Sequence, residues 1–243
     1  MARRGFPSEE NKTIYFWSPK CACTTLFRTL AFNFGRGNRH YLRNSLRWAK
    51  CRPFIRAGYR TVVITRHPVD RAISAYLNKF VIHRKKAVTL ETMESFSREL
   101  FLFHRAHFGG DPKTNDLSFE EFVDAIELQH HLRDSGKLQK INPHWDTQAP
   151  PGAKRGSYDV VAKVENFPAD MKRMCEETGI KYLDASANKT PVATGVAEYL
   201  GATPANLLDI GALSHENFVT ENIRRRLFKI YQRDFEIFGY ADC

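Results

Sequence analysis

The chain has 243 residues, with 37 lysines and arginines against 27 acids, a formal net charge of +10 and an apolar fraction of 42%. That fraction supports one real hydrophobic core, while no stretch reaches the roughly 20 apolar residues of a membrane span. The basic balance points to an anionic partner (nucleotide, acidic glycan, nucleic acid or membrane surface), with a solvated basic face as the plain alternative.

The first twelve residues carry two arginines but no apolar run behind them, so they do not read as a signal peptide. The expectation is a soluble, cytoplasmic chain without stable membrane insertion, or one trimmed of an anchor. Cys21, Cys23, Cys51, Cys175 and Cys243 are odd in number and irregularly spaced. They read as reduced thiols of a cytosolic protein. Cys21-x-Cys23 lacks the two-residue gap of a zinc knuckle and has no second pair, so no metal is expected there. Cys23 reads as a small buried residue beside a loop.

Ile14 to Trp17 is a short apolar run suited to a strand buried on both faces. Ser18-Pro19 breaks it, and Lys20 to Thr25 supplies an ammonium, two hydroxyls and small residues. From Thr24 onward, Leu26, Phe27, Leu30 and Phe34 recur at helical spacing. A strand, a polar turn and a helix start in this order make an anion site, because unpaired N–H groups and the positive end of the helix dipole meet there. Gly35 to Arg56 is polar and arginine-rich, with His40 and Trp48 in it and no clear element. Arg60 to Thr65 is a second apolar strand. Arg66-His67-Pro68 follows, with Pro68 placed for a first helical turn, and Val69, Ala72, Ile73, Tyr76 and Phe80 mark one helix face.

Glu91 to Phe108 has helical propensity, and Ser118-x-x-Glu121 is a capping box ahead of the stripe Phe119, Phe122, Val123 and Ile126. Ser135 to Tyr158 reads as loop, with the run NPHWDTQ (Asn142 to Gln148) inside it. Tyr158 to Val164 is a third strand, Pro168 to Thr178 a helix, Ile180 to Leu183 a short fourth strand, and Ala185 to Thr190 a polar loop. A last helix is expected from about Glu221 to Phe235. Strands alternating with helices predict an α/β fold, a mostly parallel sheet flanked by helices, with ligands at the carboxyl ends of its strands. No glycine lies between Lys12 and Asn33, so the first loop is not a Walker A motif and ATP chemistry is disfavoured. Nothing resembles a helix-turn-helix, RNP or zinc-finger pattern, and nucleic acid is ranked low.

Pro19-Lys20 followed by Cys23-Thr24-Thr25 resembles the 5′-phosphosulfate loop of sulfotransferases that use 3′-phosphoadenylyl sulfate (PAPS). Arg66 with Ser74 eight residues on resembles their 3′-phosphate motif; an arginine fork and a hydroxyl two turns into a helix can grip one phosphate. His144-Trp145-x-x-Gln148, YDVVAKVEN and YQRDFEIFGY (Tyr231 to Tyr240) resemble the carbohydrate sulfotransferases of the chondroitin/dermatan 4-O and HNK-1 type, over Lys12 to Tyr240. His67 departs from a commonly acidic position, and a cysteine usual after the HW-x-x-Q element is missing. The resemblance therefore implies a soluble, bacterial-type relative.

It further implies a P-loop-like three-layer sandwich, a single sulfotransferase domain over 1–243 with a donor-binding core at 12–80, and an insertion at 85–158 that shapes the acceptor site. The implied reaction moves a sulfuryl group from PAPS to a hydroxyl of a carbohydrate, anionic or neutral, in line, without metal, and releases PAP. Pro19, Lys20, Cys21, Ala22, Cys23, Thr24, Thr25, Arg66 and Ser74 are the implied donor contacts, joined by Asn188, Lys189 and Thr190 in a later loop. Lys20 would also stabilise charge on the leaving oxygen. For the general base, His144 is the first candidate and His40 the second. The alternative for His144 and Trp145 is structural packing or stacking on a sugar. Glu165 either contacts the acceptor or anchors its loop, and Trp48 either stacks on a sugar or fills the core. Arg84-Lys85-Lys86 and Arg224-Arg225-Arg226 either attract an anionic acceptor or are solvated helix faces. The competing reading is a non-catalytic nucleotide- or polyanion-binding protein on the same fold.

Overall fold

The computed structural model describes residues 4–83, 85–183, 199–208, 210 and 213–241. Packing divides the chain into two units: Met1–His67, Asp146–Asn188 and Gln232–Asp242 form the first, and Pro68–Trp145 with Lys189–Tyr231 the body of the second.

The first unit is built on a five-stranded sheet. Its strands are β1 (Arg4–Ser8), β2 (Thr13–Trp17), β3 (Leu46–Arg47), β4 (Arg60–Thr65) and β7 (Val160–Lys163), in the spatial order β3-β1-β2-β4-β7. β2, β4 and β7 run parallel, while β1 pairs antiparallel with both β2 and β3. Alternation along the strands sends their side chains to two cores. Tyr15, Trp17, Val62, Ile64, Val160 and Ala162 pack against helices α1 (Cys23–Phe34) and α7 (Phe167–Thr178). Ile14, Phe16 and Val63 pack with Cys51 of α3 (Trp48–Arg56) and with Ile237 and Phe238, the end of α9 (Glu221–Phe238). Helices thus cover both faces of the sheet, which is why β2 and β4 read as unbroken apolar runs. Trp48 joins the second core, with its ring 4.9 Å from that of Phe16. The arginine-rich segment before it forms α2 (Asn38–Asn44).

The second unit starts with α4 (Pro68–Tyr76), which runs into a π-helical turn, Leu77–Val81, and the two-stranded β5 (Ile82–His83) and β6 (Lys86–Ala87). Helices α5 (Ser95–Phe108), α6 (Phe119–Asp134), α8 (Pro204–Leu208) and the first part of α9 complete it. Tyr76, Phe80, Phe119, Phe122, Trp145 and Phe218 are fully buried there. The Ser118–Glu121 capping box forms in both directions. Arg226 is bound to Asp124 and Glu127 of α6, so one of the three consecutive arginines read as an acceptor lure is an internal tie. Among the described residues, no helix is long and apolar enough to cross a membrane.

Two expected elements are corrected. Ile180–Leu183 is not a strand. The Asn33 side chain takes both polar groups of the Lys181 backbone, receiving its N–H at 2.7 Å and donating to its carbonyl at 2.9 Å. The helix expected from Glu91 begins only at Ser95, because Thr89 and Thr92 close a local turn in which the Thr92 hydroxyl accepts the Thr89 N–H.

Gly5 of β1 is a close-approach position. A Cβ there would stand 2.6 Å from Phe16 Cε1 and 2.8 Å from Ile14 Cγ2. Both neighbours lie in a packed core that cannot retreat cheaply. Gly5→Ala is expected to destabilise the fold by about 1–3 kcal/mol, read as a lower urea midpoint at unchanged m-value.

Candidate functional site

Because β2, β4 and β7 are parallel, their carboxyl ends share one end of the sheet, and the loops at 18–22, 66–67 and 164–166 gather there. In the first loop the backbone enters the left-handed region twice, at Lys20 (φ 70°) and at Ala22 (φ 49°). Of the four non-glycine residues with positive φ among the described residues, two stand in this one turn. Each costs about 1–2 kcal/mol relative to glycine. Alternation of hand in successive residues turns backbone N–H groups inward, the geometry of an anion nest. Ala22 is also the N-cap of α1, whose start has no side-chain cap and no acid in its first turn. Nothing built into the helix competes with an external anion for its N–H groups. Lys20 is half-buried, the Thr24 side chain is exposed and the Thr25 side chain is buried. Burial pushes the Cys23 thiol up, with Lys20 nearby pulling it back. Arg66, at the end of β4, reaches to 3.5 Å of the Lys20 carbonyl through Nη1.

A residue that sequence reasoning did not single out ties these pieces together. Gln148 is 4% exposed. Its Oε1 accepts from Cys21 Sγ at 2.9 Å, Thr65 Oγ1 at 3.0 Å and the Arg66 N–H at 3.0 Å, while its Nε2 donates to the Arg66 carbonyl at 2.8 Å. One amide thus fixes the anion loop to the end of β4 and occupies both backbone groups of Arg66. Gln148 is itself held by Asp234 of α9, whose fully buried carboxylate accepts the Gln148 N–H at 2.7 Å and the Ala149 N–H at 2.8 Å.

The third strand end adds a second group. Glu165 receives the His67 N–H at 2.7 Å and the Tyr240 hydroxyl at 3.1 Å. The His67 ring stands edge-on to Phe235 and Tyr240, both at 5.3 Å. Burial, then the Glu165 carboxylate, hold the Tyr240 phenol well above its ordinary range, so it stays a donor. Both Glu165 oxygens have protein partners, which is the anchoring arrangement of the two roles considered for it.

The remaining expected site residues are placed as follows. His40 lies on α2 beside Phe6 and Tyr41, with Nδ1 3.1 Å from Asn44 Nδ2. Ser74 is half-buried on α4 in the second unit. His144 is stacked on Phe96 with ring centroids 4.7 Å apart. Trp145 is 1% exposed, donates Nε1–H to Gln129 Oε1 at 3.1 Å and packs on Phe80 and Phe122. Its ring is taken up by the core, which corrects the expectation of a stacking platform. Asn188, Lys189 and Thr190 lie outside the described residues, as does Arg84. Gln148, Asp234 and Tyr240 carried only one signal, membership in the runs HW-x-x-Q and YQRDFEIFGY.

The sequence pattern that defines the sulfotransferase family matches residues 4–241. The chain belongs to the sulfotransferase family. Carbohydrate sulfotransferase 11 of Mus musculus is 23% identical over 252 aligned residues, covering 96% of this chain and 66% of that protein. Its Rattus norvegicus counterpart matches to the same extent. A tRNA(Ile)-lysidine synthase of Helicobacter hepaticus is 24% identical over 144 residues, covering 50% of this chain and 34% of that one. The chain thus spans about two thirds of the length of its sulfotransferase relatives and a third of the synthase. No solved structure matches it.

Two changes test the geometry of this sulfotransferase-family site. Asp234→Ala leaves two buried N–H groups without their acceptor and is expected to cost about 2–5 kcal/mol in urea unfolding. Ala22→Gly is expected to leave stability unchanged or raise it by about 1 kcal/mol, since relief of the positive φ offsets the usual cost of glycine in and around a helix.

Proposed function

We propose that the protein is a sulfotransferase that moves a sulfuryl group from PAPS to a hydroxyl of a carbohydrate acceptor, on a P-loop-like three-layer fold. One observation carries the reading. An uncapped helix start, two left-handed residues, Lys20 and the Arg66 side chain meet in one loop cluster of a sulfotransferase-family chain. These groups fit the doubly charged phosphate end of such a donor: N–H groups and an ammonium for the 5′-phosphate, a guanidinium for a second phosphate.

The donor supplies an activated sulfur whose bond to the phosphate oxygen breaks as the acceptor oxygen bonds to it. The protein positions the partners and stabilises charge, as in phosphoryl transfer. The backbone from Pro19 to Thr25, with the Thr24 and Thr25 hydroxyls, holds the 5′-phosphate. Lys20 places its positive charge where the departing oxygen becomes negative. Arg66 takes the 3′-phosphate. Ser74, Asn188, Lys189 and Thr190 join the donor contacts on the strength of the sequence resemblance, and the 85–158 segment is assigned to the acceptor on the same ground. A histidine, His144 or His40, receives the proton of the acceptor hydroxyl. No step in this scheme calls for a metal.

The test has two arms. In calorimetry, PAP is expected to bind wild type well and Arg66→Ala about 10- to 150-fold more weakly, with Lys172→Ala, an exposed lysine of α7, as the charge control. Equal losses in both variants would point to nonspecific attraction by the basic surface. With labelled PAPS and a glycan panel, Lys20→Ala is expected to lose about 100-fold or more in kcat. Firm PAP binding with no transfer to any glycan would favour the non-catalytic nucleotide-binding reading.

A further inference from the structure

The two histidines considered as proton acceptor differ in how their neighbours set the ring. In each case a backbone group fixes which way the neighbouring amide points, and that fixes the proton on the imidazole. Asn142 Oδ1 lies 3.0 Å from the His144 backbone N–H and 2.8 Å from His144 Nδ1. A backbone N–H only donates, so the atom facing it is the amide oxygen. The same oxygen then accepts from Nδ1, which must carry the proton. In the neutral ring, Nε2 is left as the basic nitrogen.

His40 is set the other way. Asn44 Nδ2 lies 2.9 Å from the His40 carbonyl oxygen and 3.1 Å from His40 Nδ1. A carbonyl only accepts, so the atom facing it is the amide nitrogen. Its second proton goes to Nδ1, which must therefore hold the lone pair, and in the neutral ring Nε2 carries the proton.

The segment bearing His144 is firmly held. Arg71, fully buried, donates to the Pro143 carbonyl at 2.6 Å, and the Tyr231 hydroxyl donates to the Trp145 carbonyl at 2.8 Å. The His144 ring lies parallel to that of Phe96, whose other contacts include Lys79 Nζ at 5.4 Å from its centroid. Lys79 is paired with Glu94. The charged groups around this segment are thus Arg71 and the Lys79–Glu94 pair. A ring pinned at Nδ1, on one face and through its backbone meets the requirement for a preorganised base.

We propose that His144 Nε2, set as the basic nitrogen by Asn142, takes the proton of the acceptor hydroxyl, and that Asn142 is a positioning residue for this step. The inference rests on the sulfotransfer reading above. As the acceptor oxygen bonds to sulfur and the donor's sulfur–oxygen bond breaks, the hydroxyl proton moves to Nε2. The ring becomes an imidazolium, its Nδ1–H still held by Asn142, and the Nε2 proton then passes to water.

Long-range proton–nitrogen correlation spectra of the whole wild-type protein read both tautomers directly, with His144→Gln and His40→Gln assigning the signals. The expected result is opposite tautomers: Nδ1–H at His144 and Nε2–H at His40. The same tautomer in both, or the reverse pattern, overturns the proposal. In transfer assays, Asn142→Asp keeps the acceptor atom and adds a negative charge that favours the imidazolium, so the acidic limb of the pH–rate profile is expected to move to higher pH. Asn142→Leu is expected to lower kcat about tenfold or more at an unchanged KM for PAPS. An unmoved limb in Asn142→Asp, or loss of the limb in His40→Gln, also overturns it. Absence of transfer by wild type removes the sulfotransfer reading itself, whereas intact transfer with the wrong tautomers removes only the assignment to His144.

Discussion

The first unit depends on how the single buried amide of Gln148 spends its hydrogen bonds. Its oxygen gathers a thiol, a hydroxyl and a backbone N–H, and its nitrogen closes on the carbonyl beside that N–H. A strand end inside a protein exposes polar groups that must find partners or exact a desolvation penalty. Here the partner comes from a loop far away in sequence, so satisfying the end of β4 also fixes the turn after β2. The carboxylate of Asp234 repeats the logic one layer down, because it satisfies the backbone that carries Gln148. The chain from Asp234 through Gln148 to Cys21 and Arg66 runs through hydrogen bonds of 3.0 Å or less. It converts the end of the last helix into a constraint on the proposed donor loop.

That constraint accounts for the strain it holds. A loop of Pro, Lys, Cys and Ala has no residue that takes a positive φ cheaply, yet Lys20 and Ala22 both have one. Glycine would adopt the shape readily but would add freedom to the unfolded chain and to the loop itself. With Cys21 bonded to Gln148 between the two strained residues, the unfavourable conformation is enforced from the side. The missing glycines therefore do not mark a failed phosphate loop. They mark one whose shape is imposed by its surroundings rather than permitted by its own sequence.

What the sequence made legible was whatever is encoded locally. The apolar runs of β2 and β4, the helix faces of α1 and α4 and the Ser118–Glu121 box each carry their signal within a few residues, and each formed where the pattern placed it. β1 was hidden because its five residues, RGFPS, include a glycine and a proline, and only pairing with β2 makes them a strand. The segment after α7 had the opposite fault, since its strand-like residues are diverted by one asparagine side chain more than a hundred positions away. At the site, Lys20 and Arg66 were legible as charge types at strand ends. Gln148 and Asp234 were not, because a buried amide and a buried acid acquire their meaning from partners that only the fold brings near. Trp145 misled for the same reason: an aromatic beside a histidine looks like a sugar platform until the core is seen to close around it.

The sheet ends, at β3, in a strand of two residues. It is the outermost member of an antiparallel edge, and across it Arg47 stands opposite Arg4 of β1. An open edge offers unpaired backbone groups to any passing chain and so invites end-to-end stacking. This one offers almost no length to copy, and an incoming strand would have to lie alongside an exposed arginine that already faces another. The margin of the sheet thus guards the protein in the crowded, concentrated state, where a longer and less charged border would let molecules knit together before their folding is complete.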